Sequence, residues 1–130
     1  MKRYNNIIKI ALFALVICVM TVPVYASSKD DAAKQLWQMG KSAYGAGEYD
    51  DAIKAFEQIA EMGYKSDVLY YNLGNAYYKR GVNNVNSSGE AFNSGELGRA
   101  ILNYERALKM NPEMEDARYN LDLAYTHTDA

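Results

Sequence analysis

The sequence predicts an all-α fold, an α-solenoid of stacked helical hairpins about two and a half repeats long, closed by a terminal helix. Three observations point there. Trp37, Gly40, Tyr44 and Gly47 are answered 34 residues later by Tyr71, Gly74, Tyr78 and Gly81. Ala52, Ile53, Phe56 and Glu57 are answered by Ala100, Ile101, Tyr104 and Glu105, and Tyr71, Asn72, Leu73, Ala76 and Tyr77 by Tyr119, Asn120, Leu121, Ala124 and Tyr125, both at a spacing of 48. A 34-residue unit interrupted once by 14 residues accounts for every offset. Within each unit the apolar residues keep the three-to-four spacing of amphipathic helices.

The first element is an address. Met1 to Lys9 is basic, Ile10 to Met20 is unbroken apolar, and Pro23-Val24-Tyr25-Ala26 is compact, the plan of a secretory signal peptide over residues 1–26. The apolar run is about half the roughly 20 residues of a membrane-spanning helix. Cys18 lacks the small residues before it that a lipidation site would show, so it reads as apolar filler. Cleavage after Ala26 leaves 104 residues, 27–130, with no cysteine and hence no disulfide. Export to the bacterial periplasm or cell envelope is the expectation, with the helical core supplying the stability.

Five helices follow. The first is expected over Asp30 to Gly45, with Leu36, Met39, Gly40 and Ala43 on one stripe, and Gly47 ends it. Ala52, Ile53, Phe56 and Ile59 define a second over Tyr49 to Met62, completing repeat 1 at about 33–66. Ser66 and Asp67 can cap a third over Asp67 to Arg80, ended by Gly81. Residues 82–95, rich in Asn, Ser and Gly, favour turns and form the inserted loop of repeat 2, which spans about 67–114. A fourth helix covers Leu97 to Met110. Pro112 precedes a fifth over Glu113 to Thr126, the closing helix of a partial repeat at 115–130. Gly40 and Gly74, with Ala52 and Ala100, are small where paired helices need close approach.

Composition narrows the function. Residues 1–26 hold Lys2, Arg3 and Lys9 and no acid, leaving 11 bases against 16 acids in the remainder. An acidic body argues against nucleic acid as the partner. His127 is the lone histidine and stands three residues from the end, so neither a Cys/His metal cluster nor a well-held catalytic triad can be assembled. Asp50-Asp51 and Glu113 with Glu115-Asp116 lie near helix starts, where acids complement the dipole. No catalysis, metal or cofactor is expected. The 12 tyrosines, against three Phe and one Trp, are the marked excess.

The unit resembles the tetratricopeptide repeat, whose signature is an aromatic, Leu-Gly, Tyr, then Ala, an aromatic, Ala and Pro. Tyr70-Tyr71, Leu73-Gly74, Tyr77-Tyr78, Ala100, Tyr104, Ala107 and Pro112 carry it in the second repeat. Gly40, Gly47, Ala52 and Phe56 carry it in the first, with Ile59 and Tyr64 in place of Ala and Pro, and Tyr119, Leu121, Ala124 and Tyr125 in the third, with Asp122 in place of Gly. The resemblance implies a right-handed solenoid. The runs 70–78, 95–101 and 104–108 are similar to the tetratricopeptide proteins of bacterial aerotolerance operons. That likeness implies an exported, membrane-associated partner of von Willebrand-type domain proteins. Many such proteins continue into a membrane segment and an SH3-like domain; this sequence ends at Ala130 before either and carries the 14-residue insertion.

Partner binding is expected on the concave side, lined by the first helix of each hairpin. The matching turns present Trp37, Lys41 and Tyr44, then Tyr71, Asn75 and Tyr78, then Tyr119 and Leu123, an aromatic row with scattered hydrogen-bonding groups. Tyr70, Tyr77 and Tyr104 are expected in the core. Members of the family that clamp a C-terminal carboxylate carry Lys and Asn, then Asn, then Lys and Arg, where this chain has Trp37 and Lys41, Asn72, and Asp116 and Asn120. Only Asn72 agrees, and Asp116 would repel a carboxylate, so that mode is disfavoured. The expected activity is a non-enzymatic scaffold that binds a peptide or helix of an envelope or membrane-associated protein. Membrane contact is expected only through the partner or an uncleaved leader. The alternative is self-association through unsealed solenoid ends. A minor reading makes the inserted loop the contact, through Val82, Val85 and Phe92.

Overall fold

A computed structural model describes residues 28–83 and 94–128; the leader and the centre of the insertion, with Val85 and Phe92, lie outside the described residues. Among the described residues there are five helices and no strand: α1 Lys29–Ala46, α2 Tyr49–Glu61, α3 Asp67–Asn83, α4 Ser94–Met110 and α5 Glu115–Thr126. Each helix packs on the next in sequence, and α3 also touches α5.

Local chemistry sets most ends. The Ser28 Oγ accepts the Asp31 N–H at 3.1 Å and starts α1, with Asp30 and Asp31 facing the positive end of the dipole. Gly47 takes φ 80°, which lets its N–H reach the Tyr44 carbonyl while the Glu48 N–H reaches that of Ala43 at 2.9 Å. The Ser66 Oγ accepts the Leu69 N–H at 3.0 Å and starts α3, as the sequence suggested.

Three boundaries differ from expectation. Gly81 does not end a helix: it is buried inside α3, which runs on through Val82 and Asn83. Gly47 must reverse the chain before α2 begins two residues later, whereas the insertion after Gly81 demands no tight turn. Ser94 and Gly95 likewise belong to α4, so Val82, Asn83, Ser94 and Gly95 of the expected loop at 82–95 are helical, and 84–93 lie outside the described residues. The last helix starts at Glu115 rather than Glu113. The Asn111 Oδ1 accepts the Glu113 N–H and the Met114 N–H meets the Asn111 carbonyl, holding a turn around Pro112.

The core runs through both hairpins, with Phe56, Leu69, Leu97 and Tyr104 its largest fully buried side chains. Glycine decides how closely each hairpin shuts. A Cβ on Gly40 would stand 2.6 Å from the Phe56 ring, and one on Gly74 2.6 Å from the Tyr104 ring, so the aromatics of α2 and α4 lie directly on the backbones of α1 and α3. Tyr77 is in the core as expected, while Tyr70 is only partly buried against it. Tyr77 donates its hydroxyl hydrogen bond to Glu57 and Tyr125 donates to Glu105, the same link one repeat apart, tying each hairpin to the following helix. Arg80 joins three helices, donating from Nη1 to Asp50 at 2.7 Å and from Nε and Nη2 to Glu96 at 2.9 and 2.6 Å.

Candidate partner-binding site

Between the end of α1, the middle of α3 and α5 lies a pocket of about 200 Å³. It is lined by Tyr44, Tyr71, Asn75, Tyr78, Lys79, Tyr104, Asn120 and Leu123. On α3 the three-to-four spacing of Tyr71, Asn75 and Tyr78 puts these side chains on one face. Asn75 is the hub. Its Oδ1 accepts the Tyr104 hydroxyl at 2.8 Å and the Asn120 Nδ2 at 2.9 Å, and Asn120 also approaches the Tyr71 hydroxyl at 3.5 Å. This ties α3, α4 and α5 together across the pocket wall and fixes the Asn75 amide.

Three of the phenols hold their protons more tightly than a free phenol. Burial pushes Tyr104 well above the ordinary phenol range, with the neighbouring Tyr44, Tyr71 and Tyr78 adding to it. Burial raises Tyr44 and Tyr78 as well, seconded by Tyr49 and Tyr71 for the first and by Tyr119 for the second. Rings brace one another: Tyr71 lies 6.3 Å from Tyr104, Tyr44 stands edge-on to Tyr49 at 5.5 Å, and Tyr78 is 5.8 Å from His127. At neutral pH the pocket offers hydroxyl and amide groups, flat aromatic surface and the Lys79 ammonium.

Of the eight residues that the sequence placed on this face, the pocket gathers Tyr44, Tyr71, Asn75, Tyr78 and Leu123. Trp37 is elsewhere. It packs on Phe56 at 5.3 Å and lines a separate cavity of about 430 Å³ with Lys34, Gln38, Tyr64 and Leu69. Seven residues along α1 put it about 10 Å from Tyr44 along the axis, too far to share one pocket. Lys41 is exposed and Tyr119 is 69% exposed on α5, which no further described helix covers. Asn72 turns its Nδ2 to the Val68 carbonyl of its own helix at 2.8 Å, which occupies the one clamp position that agreed.

Sequence reasoning missed Lys79, Tyr104 and Asn120 as pocket residues. Tyr104 had a signal: its repeat partner is Phe56, and the added hydroxyl coincides with Asn75 where the first repeat has Lys41. A core ring that gains a hydroxyl beside a gained amide marks a buried hydrogen bond.

The profile of the tetratricopeptide repeat family matches residues 38–81 and 90–128. The chain belongs to that family. The stretch between the two matches falls inside the insertion found from the repeat offsets. Tetratricopeptide repeats are an interaction fold rather than a catalytic one, and they mediate binding between proteins. No curated protein matches the chain. Among the described residues no helix is long and apolar enough to cross a membrane, and no group of three His, Cys, Asp or Glu side chains could hold a metal ion.

Proposed function

We propose that this tetratricopeptide protein is an exported scaffold that holds a peptide segment or helix of another cell-envelope protein in the tyrosine pocket of its concave face. One observation carries the reading: four phenols, two asparagines and Lys79 converge on about 200 Å³, on the side where such solenoids take their partners. Aromatic rings supply contact area at low rotamer cost, and the hydroxyls and the ammonium suit the carbonyl oxygens of a peptide backbone or a carboxylate. Export rests on the basic, apolar and compact segments of residues 1–26.

The test is a pull-down from envelope extracts with the parent and the Tyr71→Ala/Tyr78→Ala double variant, alongside Lys79→Glu, whose exposed side chain leaves the fold intact. A partner retained by the parent and lost by both variants is expected. Retention of every partner by both variants contradicts the reading. A second reading, self-assembly, draws on the end of the stack that no other described helix covers, where Leu36, Met39, Ala43 and Ala55 line a groove of about 410 Å³. Light scattering over a concentration series separates the two, since a strictly monomeric protein removes the second.

A further inference from the structure

α2 and α4 both pack on α3, and between them lies a groove of about 710 Å³ on the other side of α3 from the tyrosine pocket. Its floor is Tyr70, Leu73 and Tyr77. Its walls carry Lys65, Arg99 and Arg106, along with Glu57 and Glu61. Among the described residues none of the three cations forms an ion pair. Arg99 and Arg106 instead lie over the Tyr77 and Tyr70 rings, each 5.7 Å from the centroid. Glu57 accepts the Tyr77 hydroxyl and keeps its charge, so three cations face two carboxylates and the groove is net basic by one charge.

A second, independent feature is Asn103, which lines the same groove at 5% exposure. Its Nδ2 donates to the Arg99 carbonyl at 2.9 Å, which fixes the amide orientation, and its buried Oδ1 has no hydrogen-bond partner among the described residues. An unpaired buried acceptor destabilises a fold, and an alanine would avoid that. The first repeat does so at the matching position, with Ala55. Where the second repeat has Arg99 and Arg106, the first has Asp51 and Gln58. The basic rim and the orphan acceptor therefore belong to this groove alone and are not features of the repeat.

We propose that the groove between α2 and α4 is a second docking surface, distinct from the tyrosine pocket, for an acidic peptide segment of another protein. Carboxylates of the segment pair with Lys65, Arg99 and Arg106, an apolar side chain rests on Leu73 and Tyr70, and an N–H of its backbone satisfies the Asn103 Oδ1 once the side chains that cover this buried atom shift on binding. A site of this kind lets one small scaffold hold two partners at once.

The experiment is fluorescence anisotropy with a labelled peptide of repeated Glu-Leu-Glu-Gly units and the protein expressed from its full sequence. Arg106→Glu and Lys65→Glu, both at exposed positions, should each weaken binding about tenfold or more, the worth of one lost charge-assisted contact. Added salt should weaken it as well. Asn103→Ala should weaken binding while raising the melting temperature, a combination that a purely structural asparagine would not give. Tyr71→Ala/Tyr78→Ala should leave it unchanged, which separates this surface from the concave one. The proposal is overturned by any of four results: no anisotropy change; equal binding of a Lys-Leu-Lys-Gly peptide; affinity unaltered by the two charge reversals; or self-association of the protein that Arg106→Glu abolishes, which would give the groove to a second copy.

Discussion

A side chain added at Gly74 would enter the space of the Tyr104 ring, which cannot move aside because its hydroxyl is held by Asn75. Gly74→Leu should therefore cost at least the roughly 1–3 kcal/mol of an overpacked core. In a domain of this size that lowers the melting temperature by about 4–8 °C per kcal/mol. A melt identical to the parent's would contradict the packing. Tyr104 itself supplies a pH dependence. Its folded form holds the phenolic proton more tightly than the unfolded chain, whose phenol titrates near 10. Below that pH the contribution to stability is complete. As pH rises past about 10 the unfolded chain releases its proton first and stability falls. Urea titrations at successive pH values should show this decline, and Tyr104→Phe should flatten it while costing about 1 kcal/mol at neutral pH for the lost hydrogen bond. An unchanged slope in the Phe variant would remove Tyr104 as the cause.

Between elements, Arg80 is the clip that fastens α3 to α4 at the base of the insertion and reaches α2 through Asp50. Arg80→Ala leaves Glu96 largely buried without its partner and should cost about 2 kcal/mol, measured by chemical denaturation. A loss within error of zero would show the clip to be ornamental. With that clip intact, replacing residues 84–93 by a short Gly-Ser turn should leave the melting temperature nearly unchanged, because loop length enters stability only logarithmically. A variant that fails to fold would show that the insertion packs. These elements were largely legible in the sequence, since the 34- and 48-residue offsets locate four hairpin helices and a fifth alone. Helix ends were less so. Gly81 carries the same letter as Gly47, but only Gly47 adopts the left-handed backbone, because only there does the chain have to reverse at once. The Tyr77–Glu57 and Tyr125–Glu105 links were present as a conserved offset of 20, readable only after α2 and α4 are known to face the following helix.

At the scale of the whole molecule, helical phase was enough to collect Tyr44, Tyr71, Asn75, Tyr78 and Leu123, all on first helices or the closing one. It could not supply Tyr104, whose ring serves the core of its hairpin and whose hydroxyl alone emerges beside Asn75. Nor could phase exclude Trp37 and Tyr119, because a matched turn says which way a residue points and not how far along the solenoid it lies. The result is a small stack of helices whose tyrosines divide between sealing the core and furnishing, with Lys79, one donor-rich pocket. Site-specific photo-crosslinking in native envelopes tests that division most directly, with p-benzoylphenylalanine substituted for Lys79 at the pocket and for exposed Asp122 on α5, which lines neither groove, as the control. The account predicts a defined protein adduct at Lys79 and none at Asp122. Adducts of equal yield at both positions, or none at Lys79, would contradict it.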